Sequence, residues 1–174
     1  MNHMKKRVLY SREEINGRVQ ELADMLSREY EGKDLVLVGI LKGAFIFLSD
    51  LVRSMGIPHQ IDFIRVASYG SGTVSSGKIT ITKDLECSIE GKDVLIVEDI
   101  IDTGTTLASL KTMLGDRKPA SLKICALVDK TARREVEIDA DYVGFTMEDG
   151  FVVGYGLDCN EQFRSLPEIY VIEE

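Results

Sequence analysis

VLIVEDIIDTGTTLASL, residues 94–110, sets four apolar residues directly against Glu98 and Asp99. Two more apolar residues follow, then Asp102, Thr103, Gly104, Thr105 and Thr106. The uninterrupted apolar start, 93–98 with Asp93, suits a strand covered on both faces. Residues 105–115, TTLASLKTMLG, suit a helix, so the acids and hydroxyls fall on a strand-to-helix connection. That connection belongs to a parallel α/β sheet, in which ligands sit beyond the carboxyl ends of the strands.

The rest of the chain repeats the alternation. Ser11-Arg-Glu-Glu14 is a capping box, and Ile15, Val19, Leu22 and Leu26 follow at helical spacing, which predicts a helix over 11–30. LVLVGI (35–40) reads as another doubly covered strand, and residues 41–56 as a second helix ending near Gly56. QIDFIRVAS (60–68) and KITIT (78–82) read as paired strands across a Gly/Ser loop, and SLKICALV (121–128) as a further strand. DYVGF, FVVGY and EIYVI are short β segments near the C-terminus. The expected fold is α/β, with a mainly parallel central sheet flanked by helices and a small C-terminal hood. One domain covers residues 1–174, with a core over about 8–150 and a hood from about 151–174 plus the N-terminus.

Composition narrows the chemistry. A net charge of −8 disfavours a general nucleic-acid binder, which is normally basic. An acidic protein still binds a small anion if it uses backbone N–H groups, hydroxyls or a bridging metal. No apolar run reaches the ~20 residues of a membrane span, and the N-terminus lacks the apolar core of a signal peptide, so a cytoplasmic location is expected. Cys87, Cys125 and Cys159 are odd in number and lack metal-type spacing, so they read as small hydrophobes. His3 and His59 stand apart from any nucleophile, which leaves carboxylates, lysine or a metal to carry the chemistry.

On the 102–106 loop, free N–H groups and the dipole of the following helix favour a phosphate. Gly104 permits close backbone approach, and the threonines add donors without charge. Adjacent strand residues face opposite ways, so Glu98 and Asp99 are expected to face different sides. A plain acidic turn with a threonine N-cap is the blander alternative. Other phosphate motifs are missing: there is no Walker-type loop, and Gly70-Ser-Gly72 does not complete a dinucleotide fingerprint.

LVGILKG, SYGSGT, VEDIIDTG, LVDK and FVVGYGLDCNEQFRSLP occur in this order along the chain. Together they resemble type I phosphoribosyltransferases, most closely the hypoxanthine-guanine group. The resemblance implies transfer of a phosphoribosyl group from 5-phosphoribosyl 1-diphosphate (PRPP) to a 6-oxopurine with Mg²⁺. It implies that Glu98 and Asp99 hold the ribose hydroxyls, directly or through the metal, and that Asp102 is the general base or acid at purine N7. Thr103, Gly104, Thr105 and Thr106 then hold the 5-phosphate, while Lys42, Gly43 and Arg164 hold the pyrophosphate, with the peptide before Lys42 able to be cis. Lys130 donates to the purine O6, Phe151 stacks on the base, and the Val152 backbone reads its edge. Asp158 belongs to the base pocket and to a second metal site. Ser68 and Tyr69 root a lid over 68–77. Thr105 and Ala67 stand where vertebrate relatives carry basic residues, so charge contacts there are not expected.

The expected partners are PRPP and a purine base, with no nucleic acid or membrane, in a homodimer or homotetramer. Two alternatives belong to other classes. An RNA-binding regulator on the same fold needs a basic face, and a phospho-accepting signalling domain leaves the C-terminal tail and the Gly/Ser loop unexplained.

Overall fold

Ser11 starts the first helix as its spacing predicts: its side chain accepts from Glu14 N–H while Glu14 accepts from Ser11 N–H, closing the capping box. In the computed structural model, which describes residues 5–68 and 79–173, that helix is α1, Arg12–Glu29. It follows β1, Lys6–Tyr10, and leads to β2, Leu35–Ile40, α2, Phe45–Ser54, and β3, Gln60–Ser68. Then come β4, Ile79–Lys83, β5, Asp93–Ile101, α3, Thr105–Gly115, and β6, Ser121–Lys130. β7, Tyr142–Met147, β8, Val152–Val153, and β9, Ile169–Ile172, complete the order.

Six strands form the main sheet in the order β4-β3-β2-β5-β6-β7. All pairings are parallel except β3 with β4, the edge pair expected from the alternating KITIT segment. The apolar runs bury alternate residues on opposite faces. Leu35, Leu37, Leu95, Val97, Cys125 and Leu127 pack under α1 and α2. Val36, Val38, Val94, Ile96, Ile124 and Ala126 pack under Leu107, Leu110 and Leu114 of α3. This sidedness explains why the strands read as continuous hydrophobic runs. β1, β9 and β8 make a separate three-stranded antiparallel sheet.

The chain leaves β2 toward β3 but leaves β5 toward β6, on the other side. A crevice therefore opens between the carboxyl ends of β2 and β5, the usual ligand position in an open α/β sheet. Several boundaries differ from the sequence expectation. Residues 41–44 form a turn, with a cis Leu41–Lys42 peptide, and α2 starts only at Phe45. β5 continues past Glu98 to Ile101, because β6 pairs with it that far while β2 stops pairing at Val97. Lys130 is the last residue of β6, not a residue beyond it. Ser68 ends β3, and Tyr69 and the remainder of the proposed lid lie outside the described residues. Among the described residues no helix is long and apolar enough to cross a membrane.

Cys125 is fully buried, and burial pushes its thiol up to about 12; Cys87 and Cys159 are partly covered, and all three are free. Asp62 is a buried carboxylate that accepts from Phe63 N–H at 2.7 Å, Glu86 N–H at 2.8 Å and Cys87 N–H at 3.0 Å. It ties the β4–β5 connection to β3.

Candidate active site

β5 carries two acids into the crevice, and each lines a different cavity. Glu98 lines a cavity of about 150 Å³ with Asp102, Thr103, Gly104 and Thr106. Asp99 lines a second cavity of about 210 Å³ with Asp102, Lys130, Arg133, Gly150, Phe151, Val152 and Asp158. Ile100 and Asp102 belong to both walls, so the two spaces adjoin. The alternation of a strand sets each acid on a different cavity wall, yet their carboxyls stay within hydrogen-bonding reach of each other.

The first cavity sits at the start of α3. Gly104, not a threonine, is the N-cap, with φ 82°, and the Thr103 hydroxyl accepts a long bond, 3.5 Å, from Thr105 N–H at the helix start. A Cβ at Gly104 would lie 2.6 Å from Ile138 Cγ2 and 3.1 Å from Arg134 Cδ, so both backbone conformation and packing require glycine. The Thr103 and Thr105 hydroxyls are 3.1 Å apart. Free N–H groups, hydroxyls and a helix N-terminus together offer the donors that an anion takes.

Burial, reinforced by the neighbouring Asp99 carboxylate, raises the Glu98 carboxyl well above its ordinary range. Burial also raises Asp99, opposed by hydrogen bonding from Glu98 and Ile100 N–H and by the field of Arg164. Two carboxyls so placed favour a cation or hydrogen-bond donors between them.

Gly43 touches this pair. A Cβ there would lie 1.8 Å from Asp99 Oδ2, so only glycine lets the loop after β2 rest on β5. Lys42 extends instead to Glu161, with Nζ–Oε2 at 2.6 Å. Arg164 reaches Asp158 at 3.0 Å and Glu161 at 3.2 Å, and donates to the Gly156 carbonyl at 2.8 Å. Its Nε is buried without a hydrogen-bond partner. Asp158 also accepts from Glu161 N–H at 2.8 Å.

In the second cavity Lys130 is buried, with 6% of its surface exposed, and Nζ donates to the Gly150 carbonyl at 3.4 Å. It lies 3.2 Å from Asp102 Oδ1, but that oxygen is buried without a hydrogen bond, so the contact is one of charge alone. Arg133 Nη1 donates to Asp102 Oδ2 at 3.2 Å. Phe151 is half exposed at the cavity wall, while Val152 beside it is buried in β8.

Of the expected residues, Glu98, Asp99, Asp102, Thr103, Gly104, Thr106, Lys130, Phe151, Val152 and Asp158 line the two adjoining cavities; Gly43 touches Asp99 and Arg164 pairs with Asp158, whereas Thr105 and Lys42 line neither, and Ser68 ends β3. Arg133, Arg134 and Glu161 were missed by reasoning from sequence. The two arginines belong to none of the motifs in the sequence, yet Arg134 pairs with Asp129 and donates to the Asp102 carbonyl at 3.2 Å. Glu161 carried no signal, because its partners lie across the fold.

The described residues contain no cluster of three or more metal-type ligands. The adjacent carboxyls of Glu98 and Asp99, and Asp158 separately, are nevertheless the oxygen donors that suit Mg²⁺, which takes one or two carboxylates and completes its shell with water and substrate phosphates.

The family model for the phosphoribosyl transferase domain matches residues 9–160. A hypoxanthine-guanine phosphoribosyltransferase of Aquifex aeolicus is 48% identical over 171 residues, covering 98% of this chain and 96% of that protein. A bifunctional protein TilS/HprT of Listeria monocytogenes is 49% identical over 168 residues; the match covers 97% of this chain but only 26% of that longer protein. Among solved structures, a hypoxanthine phosphoribosyltransferase from Staphylococcus aureus superposes with a TM-score of 0.95 at 49% identity, covering 99% of this chain and 93% of that one.

Proposed function

The chain belongs to the phosphoribosyl transferase family, and from that premise we propose that it transfers the 5-phosphoribosyl group of PRPP to hypoxanthine or guanine, releasing pyrophosphate in purine salvage. The observation that carries this reading is the adjoining pair of cavities, one an anion site at a helix N-terminus and the other lined by Lys130, Phe151 and Asp102. They meet at Ile100 and Asp102, where a ribose would join phosphate to base.

The 103–106 loop holds the 5-phosphate. Glu98 and Asp99 hold the ribose hydroxyls and favour the positive charge that grows on the sugar as the bond from C1′ to pyrophosphate breaks. Lys42, Gly43 and Arg164 bind the leaving pyrophosphate, and Lys42 and Arg164 must exchange Glu161 for it. Base N9 attacks C1′, the pyrophosphate oxygen keeps the C1′–O electron pair, and Asp102 takes the proton from N7. Lys130 donates to O6, Phe151 covers the base, and the three-stranded sheet that carries Val152 forms the hood. One Mg²⁺ held by Glu98 and Asp99, and a second held by Asp158, would neutralise diphosphate charge.

Incubating purified protein with PRPP and Mg²⁺, offering hypoxanthine, guanine, xanthine, adenine and uracil in turn, and measuring the nucleotide products tests the reading. Monophosphates of 6-oxopurines are expected, and their absence would refute it. The resemblance further implies a homodimer or homotetramer, which light scattering resolves.

A further inference from the structure

Asp102 has two carboxylate oxygens in different circumstances. Oδ2 accepts from Arg133 Nη1 at 3.2 Å, while Oδ1 is buried and accepts no hydrogen bond, although Lys130 Nζ is 3.2 Å away. Among the described residues, the bond from Arg133 is the carboxylate's one hydrogen bond. Lys130 directs its donor to the Gly150 carbonyl instead.

The Arg133 side chain is 60% exposed, so its ion pair adds little to folding. Its backbone, by contrast, is anchored on both sides. Thr131 N–H donates to Met147 O at 3.1 Å, Ala132 N–H to Glu148 O at 2.9 Å, and Arg134 N–H to Thr131 O at 3.3 Å. Glu135 N–H then bonds Thr103 O at 2.9 Å, and the Arg134 side chain bonds the Asp102 carbonyl at 3.2 Å. The turn that presents Arg133 is therefore tied to the loop that presents Asp102. A rigidly based donor on a general base fixes its orientation toward the substrate.

We propose that Arg133 is a positioning residue for Asp102: by holding Oδ2 it fixes the orientation of the carboxylate that receives the N7 proton. The inference rests on the assignment of Asp102 as the general base. Once a base enters and Lys130 turns to its O6, Arg133 alone keeps the carboxylate aligned. The motifs that carry the family resemblance do not include this position, since LVDK ends at Lys130.

A double-mutant cycle separates this from a structural role. Arg133→Met, Arg133→Lys and Asp102→Asn are made singly, and both Arg133 changes also in the Asp102→Asn background. For each, kcat and KM for hypoxanthine are measured, with PRPP Kd by calorimetry and melting temperature. Asp102→Asn is expected to lower kcat by roughly 10²–10⁴-fold, the usual worth of a general base. Arg133→Met is expected to lower kcat by about 10- to 100-fold, the reach of one charge-assisted hydrogen bond, with KM, PRPP Kd and melting temperature nearly unchanged. Arg133→Lys restores part of the loss. In the Asp102→Asn background, Arg133→Met changes kcat less than about twofold, because the carboxylate it served is gone. Equal losses in both backgrounds, or no loss in either, overturn the proposal while leaving Asp102 as the base. An Asp102→Asn enzyme within about threefold of wild type refutes the assignment of the base, and the proposal with it.

Discussion

Lys130→Met tests how the site chooses its base. The ammonium is almost wholly buried at the end of β6, beside the Gly150 carbonyl and the Asp102 carboxylate. A lysine offers only donors. A 6-oxopurine presents an acceptor at C6, and adenine presents an amino group there. With adenine, donor meets donor in a buried place, and sites of this design reject the wrong analogue by about 10⁴-fold. Methionine keeps the length of the side chain and removes the donor. The loss for hypoxanthine is one charge-assisted hydrogen bond, about 1.5–3 kcal/mol, which is roughly 10- to 150-fold in kcat/KM. Adenine loses nothing by the change and is relieved of the repulsion. Arg133 still meets Asp102, so the general base keeps a cationic partner. The assay is kcat/KM for hypoxanthine and adenine, in wild type and mutant, by product nucleotide. The ratio is expected to fall by at least the hypoxanthine loss, shared between KM and kcat because the base is bound and activated by the same contact. A ratio unchanged by the mutation would mean that Lys130 does not read O6.

Four further outcomes follow from the geometry. Gly43→Ala places a methyl 1.8 Å from the Asp99 oxygen, so activity is expected to collapse while circular dichroism still reports a folded chain; wild-type kcat/KM would refute the contact. Glu161→Gln removes the carboxylate that Lys42 and Arg164 share, so calorimetry is expected to show pyrophosphate binding a few-fold tighter and less salt-sensitive, whereas weaker binding would mean that Glu161 pre-orders the cations. Glu98 has a carboxyl raised by burial, so the folded state retains its proton longer than the unfolded chain and stability falls as pH rises above ~4.5. Glu98→Gln is therefore expected to raise the melting temperature at pH 8, by two to four degrees per ~1 kcal/mol relieved, but not at pH 4.5, and to lower activity; equal gains at both pH values would refute the titration. Asp62 is opposite in sign: burial works to raise it, but the Cys87, Phe63 and Glu86 hydrogen bonds prevail and hold it below the usual range, so its stabilisation is present above ~4 and lost as pH falls through the lowered value. Asp62→Asn is expected to cost about 1–3 kcal/mol at pH 7 in urea unfolding, with the gap to wild type closing in acid.

What local sequence determined is the order and type of the elements. The Ser11 box sets the start of α1, and the apolar runs at 35–40, 93–97 and 121–128 declare strands covered on both faces. The Asp102-Thr-Gly-Thr-Thr106 loop declares a helix start with free N–H groups, since that is a property of a dozen consecutive residues. That Glu98 and Asp99 line different cavities was also legible, because it needs only the pleat, whereas the contact between their carboxyls was not. Tertiary structure decided what depends on neighbours distant in the chain. β5 runs on to Ile101 because β6 lies beside it, and no propensity within VEDII announces that. Lys42 meets Glu161 across 119 positions, and Arg133 meets Asp102 across 31, through turns whose relative placement is set by strand pairing and not by their own residues. Gly43 is required by the oxygen of Asp99 opposite it, a constraint that exists only once β2 and β5 stand side by side. Local hydrogen bonding and periodicity are written in short windows, whereas a charge pair is made by two surfaces that packing brings together.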